Sequence, residues 1–408
     1  MNYKLFTENN NVQEWILPSS KSISNRVLMI RYYSKIPFEI ENLSDSSDTQ
    51  LLDFLIKNQQ NVYDFRDAGT PYRFMLSALS IAKRRAIITG TERLMQRPIQ
   101  PLIEALTSLG LKLHLVKNQI VIEEAEITQS KVFINHNESS QFLSSLLLLA
   151  PNLPHGLEIS FKPISTSESY TRLTIHVLRE FGIKVEEETN RYFISNQSFQ
   201  TKKFFIEADW SAAAFVYLQL YASGYTNDII LKGLFKNSWQ GDAIIQEYAK
   251  AFGMQSEWID ETLIIRNTKS LATANLNWDL SSTPDIVPVL VMLITLSKST
   301  ARLSGISNLE LKESKRISVL IEHLAPACVE FTFREDVLKV DAASFNESLL
   351  PLVYNPHNDH RMAMCFSALV YRKPGITILH AECVSKSFPA YWEQLANNGI
   401  TLKEADSF

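Results

Sequence analysis

A chain of 408 residues is too long for one ordinary core, and two domains of about 200 residues each are the natural division. A hydrophobic content of 45% rules against a disordered chain, and a net charge of −4 rules against a general affinity for nucleic acid or acidic membranes. Any anionic ligand must therefore be held by local basic clusters.

The N-terminal stretch, MNYKLFTENNNVQEW, is too polar for a signal peptide. An internal repeat dominates the rest of the chain. Six times, a small or polar stretch opens an apolar helical segment, which leads through a short turn to a strand-like run. The openings lie near Ser22, Gly69, Ser139, Asp209, Pro284 and Asp359, with intervals of 47, 70, 70, 75 and 75 residues. A second helix follows each segment, apolar at i, i+3, i+4 and i+7, so one face must be buried. The pattern reads Ile99, Leu102, Ile103, Leu106, and then Val177, Leu178, Phe181 with Thr174 in the first slot. It returns at Ile245, Tyr248, Ala249, Phe252, at Ile317, Leu320, Ile321, Leu324, and at Phe388, Tyr391, Trp392, Leu395. Gly110, Gly182, Gly253 and Gly399 stop four of these helices as C-cap glycines do.

Beyond each stop a hairpin-like pair of strands is expected, as in LKLHLVKNQIVIEE (111–124) and IKVEEETNRYFIS (183–195). The first copy, DTQLLDFLIKNQQ, lacks this hairpin, which accounts for its short interval. The last copy runs out at ITLKEADSF, so the N-terminal segment, roughly 1–17, is expected to supply its strands. The six αβ units then divide into two domains of three: residues 18–206, and residues 1–17 plus 207–408. The longest apolar run, Ile286 to Leu296, is too short to span a bilayer and contains Pro288, so it reads as a buried helix. Cys328, Cys365 and Cys383 form no CxxC pair and leave an odd one over, which points to a reducing cytoplasm.

No GxGxxG, GxxxxGK[ST] or HExxH motif occurs. His357 and His360 lie close together without a further ligand pattern, so no metal site is expected. Basic and polar residues instead gather where the repeat units open, at helix N-termini that favour anions. Ser20-Lys21-Ser22-Ile23-Ser24-Asn25-Arg26 opens the first unit and Asp67-Ala68-Gly69-Thr70-Pro71-Tyr72-Arg73 the second. Arg97-Pro98 starts the following helix, and Ser139-Ser140-Gln141 opens the third unit. Pro284-Asp285 opens the fifth, and Asn308 precedes Lys312-Glu313-Ser314-Lys315-Arg316, in which Lys312 and Arg316 share a helical face. Asn358-Asp359-His360-Arg361 opens the sixth, and Lys386-Ser387-Phe388-Pro389 starts the last helix. Any one of these alone is more often a helix cap or a solvated face than a ligand site; their joint occurrence reverses that.

The strings SKSISNR, DAGTPYR, ERLMQRP, SSQF, PD, NLELKESKR, NDHRMAM and KSFP, in this order from about Pro18 to Leu395, resemble the EPSP (enolpyruvylshikimate phosphate) synthases. The resemblance implies an α/β fold of two domains, each of three similar αβ repeat units in the inside-out α/β barrel arrangement of enolpyruvyl transferases, with the ligand cleft between domains. It implies transfer of the enolpyruvyl group of phosphoenolpyruvate to the 5-hydroxyl of shikimate 3-phosphate, with release of phosphate, on the shikimate pathway to aromatic amino acids. The partners would be these two small molecules, with no nucleic acid, membrane, metal or organic cofactor, and the enzyme would be a cytoplasmic monomer.

Carried over residue by residue, Lys21, Ser22 and Arg26 would contact shikimate 3-phosphate, Lys21 also reaching phosphoenolpyruvate. Ser139, Ser140, Gln141 and Ser167 would hold the shikimate phosphate and ring, with Asn308 and Lys312 completing that side. Gly69, Arg97, Arg316, Arg361 and Lys386 would clamp phosphoenolpyruvate, arginine suiting the task through its planar two-point geometry. Asp285 would accept the hydroxyl proton. Glu313 would donate a proton to the methylene carbon, although Lys312 and Arg316 beside it should favour its ionised form. Departures from the family pattern are Ser19, Asp67, Glu168, Ser169 and Ala208, of which Asp67 would bring a carboxylate near an anionic ligand.

Two other readings share the architecture. The UDP-N-acetylglucosamine enolpyruvyl transferases usually carry a reactive cysteine shortly before an ARP-type arginine, whereas GTERLMQ precedes Arg97 here and all three cysteines lie beyond residue 327. A catalytically silent binding protein would not need Lys21, Arg97, Asp285, Glu313, Arg361 and Lys386 together.

Overall fold

The computed structural model describes residues 1–7, 15–135, 139–162, 167–268 and 275–405. The chain forms two compact units: an inserted unit, Ser19–Ile206, and a flanking unit made of Met1–Pro18 and Glu207–Phe408.

Each unit is built around helices that have no solvated side. In the inserted unit, Gly69–Ser80 buries eleven of its twelve residues and Ser140–Leu149 nine of ten. In the flanking unit, Trp210–Ser223 buries twelve of fourteen, and Val287–Leu296 and His360–Ser367 bury every residue. A helix apolar or small all round can only sit inside a core. The run containing Pro288 is one of these, with its proline in the first turn where no N–H is missed. No helix among the described residues is long and apolar enough to cross a membrane. The second helices of the repeats, such as Gln100–Ser108, Glu168–Glu180 and Arg316–Leu324, are one-sided, burying Leu102, Ile103 and Leu106 or Ile317, Leu320 and Leu324.

The sheets follow one plan. Val62–Asp64 pairs parallel with Ala86–Thr89, which pairs antiparallel with Gln119–Glu123, itself in a hairpin with Lys112–Val116. Ile120 and Ile122 face the core while Gln119 and Glu123 stay exposed, the period-two alternation of a one-sided sheet. The same parallel, antiparallel, antiparallel order recurs in Lys131–Ile134, Leu157–Phe161, Arg191–Ile194 and Glu186–Glu188. It recurs again in Asn275–Asp279, Thr300–Ser304, Val337–Asp341 and Glu330–Arg334. A smaller sheet joins Ile229–Leu231, Thr262–Asn267 and Met254–Ile259. The first repeat contributes only Ile40–Glu41, parallel to Phe204–Phe205, and its second helix, Ser47–Lys57, runs on to Val62 through residues 58–61.

In the last sheet, Val353–Tyr354 pairs with Ile376–Ile378, and Tyr3–Thr7 then lies between that strand and Ile400–Glu404. Tyr3–Thr7 thus takes the inner hairpin position, in register Tyr3↔Glu404 to Thr7↔Ile400. Residues 8–14 of the segment expected to supply strands lie outside the described residues.

Gly110, Gly182, Gly253 and Gly399 all have positive φ at the ends of second helices. Cys328, with φ of 63°, occupies the equivalent place after Arg316–Leu324 and the short 3₁₀ turn Ala325–Ala327. Three local readings need correction. Arg97-Pro98 precedes its helix, which starts at Gln100 with Pro101 in the first turn. Lys386 closes the 3₁₀ segment Ala381–Lys386, and the last helix begins only at Tyr391. Lys312 and Arg316 do not share a helical face, because Lys312 is extended and the helix starts at Arg316.

Candidate active site

In the flanking unit the N-termini of the three buried helices meet. Ser211 sits in the first turn of Trp210–Ser223, Asp285 just before Val287–Leu296, and Arg361 in the first turn of His360–Ser367. Arg361 Nη2 donates to Asp285 Oδ2 at 2.8 Å and reaches Ser211 Oγ at 3.4 Å. Asp359 caps its own helix by accepting from the Arg361 N–H at 3.0 Å. Converging helix starts point N–H groups and positive dipole ends at one place, the arrangement that attracts phosphate and carboxylate.

Arg316 binds this end together. Its Nε donates to Asp359 Oδ2 at 2.8 Å, its Nη1 to Asp285 Oδ1 at 2.9 Å, and its Nη2 to Glu313 Oε2 at 2.9 Å. Burial alone would lower its pKa, but Asp359, Glu313 and Asp285 raise it well above the ordinary value, so it is a permanent cation. Lys312 Nζ lies 4.0 Å from Asp285 Oδ1, and Lys386 Nζ lies 4.0 Å from Glu313 Oε1. Arg316 and Lys386 therefore both lie beside Glu313, and nothing in the linear sequence pairs it with Lys386. Asn308 is buried in the adjoining 3₁₀ turn Ser307–Leu311.

In the inserted unit a second cluster forms where Gly69–Ser80 and Ser140–Leu149 begin. Arg73 is buried; its Nη1 donates to Gln141 Oε1 at 2.8 Å and its Nη2 to the Pro98 carbonyl at 2.8 Å. Gln141 Nε2 in turn donates to Thr70 Oγ1 at 2.9 Å, and Ser139 Oγ accepts from the Gln141 N–H at 3.3 Å. Gly69 has a steric reason to be glycine: an added Cβ would lie 2.5 Å from Arg97 Nη1 and 3.0 Å from Arg73 Nη1. Two guanidinium groups thus lie against bare backbone at one helix start. Ser140 is buried beside them.

Lys21, half-buried at the start of Lys21–Ser34, pairs with Asp48 at 3.2 Å. Ser22 gives its carbonyl to Arg26 Nη1 at 2.8 Å. Arg26 is buried deeper than a surface ligand group: Nε donates to Thr174 Oγ1 at 2.8 Å, Nη2 to the Tyr170 carbonyl at 3.1 Å, and burial pushes its pKa down to about 10. Ser167 is buried with a left-handed φ of 61°, a conformation that costs a non-glycine residue energy and gathers at functional sites.

Asp67 does not face the basic cluster. It is exposed and accepts a hydrogen bond from the Thr91 hydroxyl, while Arg73 is committed to Gln141, Gly69 and Pro98. Glu168 likewise points outward, 3.2 Å from Arg172. Asp48, Ser211 and Asp242 belong to the clusters without having been singled out in the sequence, and Asp359 was marked there only as the opening of the sixth unit. Asp48 and Asp359 carried a weak signal as acidic residues at helix starts; Asp242 carried none. Among the described residues no group of three His, Cys, Asp or Glu side chains is placed to hold a metal ion.

Residues 52–395 match the family model described as EPSP synthase (3-phosphoshikimate 1-carboxyvinyltransferase). The chain is 34% identical to a 3-phosphoshikimate 1-carboxyvinyltransferase of Bacteroides fragilis, over 95% of both chains. It is 30% identical to one from Buchnera aphidicola, covering 92% of each. Among solved structures, an EPSP synthase from Acinetobacter baumannii superposes with a TM-score of 0.76 over 99% of this chain and all of that one, at 19% identity. The enolpyruvyl transferase NikO from Streptomyces tendae superposes with a TM-score of 0.77 over 99% of both, at 12% identity. Sequence match across most of its length and a shared fold together establish that the chain belongs to the EPSP synthase family.

Proposed function

We propose that this chain transfers the enolpyruvyl group of phosphoenolpyruvate to the 5-hydroxyl of shikimate 3-phosphate and releases phosphate. The observation that carries the reading is Asp285 clasped between Arg316 and Arg361, with Glu313 on another arm of Arg316, where three helix starts meet.

Asp285 takes the hydroxyl proton as the hydroxyl oxygen bonds to C2 of phosphoenolpyruvate, and Glu313 gives a proton to C3. Expulsion of phosphate then returns a C3 proton to Glu313 and restores the double bond, while the proton held by Asp285 leaves with the departing phosphate. Both oxygens of Asp285 already accept from a guanidinium, but a carboxylate has about four lone-pair sites, so room remains for a substrate hydroxyl. Glu313 lies between Arg316 and Lys386, which favour its anion; bound phosphate and carboxylate groups offset those cations and let it hold a proton.

Arg97, Gly69, Arg316, Arg361 and Lys386 act on phosphoenolpyruvate, with Lys21 shared. Ser22, Arg26, Ser139, Ser140, Gln141, Ser167, Asn308 and Lys312 act on shikimate 3-phosphate. The protein works as a cytoplasmic monomer on these two small molecules. A light-scattering mass near 46.5 kDa supports the monomer, and twice that value overturns it.

A phosphate-release assay tests the function. Release should require both substrates, and UDP-N-acetylglucosamine should not replace shikimate 3-phosphate. Release with the nucleotide sugar alone as acceptor would assign the chain to the other transferase family. No release with either acceptor would leave a binding protein.

A further inference from the structure

Asp242 lies in the 3₁₀ turn Gly241–Ile244, away from the three converging helix starts, yet it is buried against the flanking-unit cluster. Its Oδ2 accepts a hydrogen bond from the Ser211 hydroxyl. That hydroxyl, having given its proton to the carboxylate, presents a lone pair to Arg361 Nη2 at 3.4 Å. Arg361 Nη2 also donates to Asp285 Oδ2 at 2.8 Å. One guanidinium nitrogen is thus held from two sides, directly by Asp285 and through a hydroxyl by Asp242.

We propose that Asp242 is a positioning residue which, through Ser211, holds the Arg361 guanidinium in place for the anionic substrate. The inference rests on the assignment of Arg361 to phosphoenolpyruvate. The physical reason is hydrogen-bond polarity. An ionised Asp242 can only accept, so the Ser211 proton points to it and the hydroxyl oxygen is free to accept from Arg361. A protonated Asp242 can donate instead, turning the Ser211 proton toward Arg361 and setting donor against donor.

The charged groups around Asp242 make this relay sensitive near neutrality. Burial raises its pKa, Asp285 and Asp209 raise it further, and Arg361 and the Ser211 hydroxyl lower it, with the balance at about 7. The ionised form, and with it the positioned Arg361, is gained as pH rises through that value. Affinity for phosphoenolpyruvate should therefore improve from pH 6 to pH 8.

The test is steady-state kinetics of Asp242→Asn, Ser211→Ala and Arg361→Ala across that pH range. For Asp242→Asn and Ser211→Ala, KM for phosphoenolpyruvate should rise about five- to tenfold, as for loss of one charge-assisted hydrogen bond. The change in kcat should stay within about twofold, KM for shikimate 3-phosphate should hold, and the pH step should flatten. The double variant should be no worse than either single one, because both break the same chain. Additive losses, an unchanged KM, or an intact pH step would overturn the proposal. If Asp242→Asn does not fold, Ser211→Ala carries the same expectations alone. If Arg361→Ala leaves KM for phosphoenolpyruvate untouched, the assignment of Arg361 fails; if it raises KM while Asp242→Asn does not, only the relay fails.

Discussion

Replacing Arg316 by methionine removes the cation on which three carboxylates converge. The side chain is 1% exposed, and its contacts to Asp359, Asp285 and Glu313 are 2.8, 2.9 and 2.9 Å. Asp285 keeps Arg361 and Lys312, and Glu313 keeps Lys386, so those two retain partial compensation. Asp359 is fully buried and, among the described residues, keeps the Ser314 N–H and hydroxyl and the Arg361 N–H. Removing one partner of a buried pair costs about 3–5 kcal/mol, and Asp359 sets most of that cost here. Acid should relieve it. The unpaired carboxylates take up protons more readily folded than unfolded, so the variant gains stability relative to the native chain as pH falls from 8 toward 5. Urea unfolding followed by tryptophan fluorescence is a suitable assay, since all six tryptophans lie in the flanking unit with Arg316. A loss below about 1 kcal/mol at pH 8, or an equal loss at both pH values, would refute the view that Arg316 neutralises buried carboxylates.

Asp285→Asn and Glu313→Gln should each lower kcat by about 10²–10⁴, with smaller changes in KM, as expected for lost proton transfer; near-normal deuterium incorporation into the methylene carbon by Glu313→Gln would remove the donor role. Gly69→Ala should raise KM for phosphoenolpyruvate, because the new methyl meets the guanidinium ends of Arg97 and Arg73 and no backbone; a normal KM would mean that the place of those guanidinium groups is immaterial. Asp67→Asn should leave that KM within about twofold, since its carboxylate is turned to Thr91 and solvent and screened there; a clear fall would mean that it faces the ligand after all. Cys328→Gly should stabilise the flanking unit by about 0.5–1 kcal/mol in urea unfolding, by removing a side chain from a left-handed position; no gain would mean that the turn is not strained.

The repeat was legible because it is written in apolar spacing. Ile317, Leu320 and Leu324 must share a buried face whatever the rest of the chain does, and Gly110 or Gly399 must end a helix because few other residues tolerate that φ. Cys328 hid the fifth stop by violating the rule. Two helix starts were placed too early: Pro98 and Pro389 stand before the turn that leads into the helix, not inside it. Site chemistry was legible only where it fell into strings. Nothing local in WQGDAII tells that Asp242 folds against Ser211, thirty-one residues away, and no spacing rule says that Asp67, beside Gly69, turns outward. Those outcomes depend on which side of a turn the backbone presents, which periodicity does not encode.

The place of Tyr3–Thr7 between Ile376–Ile378 and Ile400–Glu404 has a consequence for synthesis. At about 5–20 residues per second, this strand waits roughly 20–80 s on the ribosome before both neighbours exist. The inserted unit can complete its own sheets during that time, since its pairings close within Ser19–Ile206. An unpaired Tyr-Lys-Leu-Phe-Thr strand meanwhile exposes free N–H and C=O groups, the template on which other chains pair. The last sheet of the flanking unit therefore closes last, and the interval before closure is when the nascent protein is most open to misassembly and to chaperones.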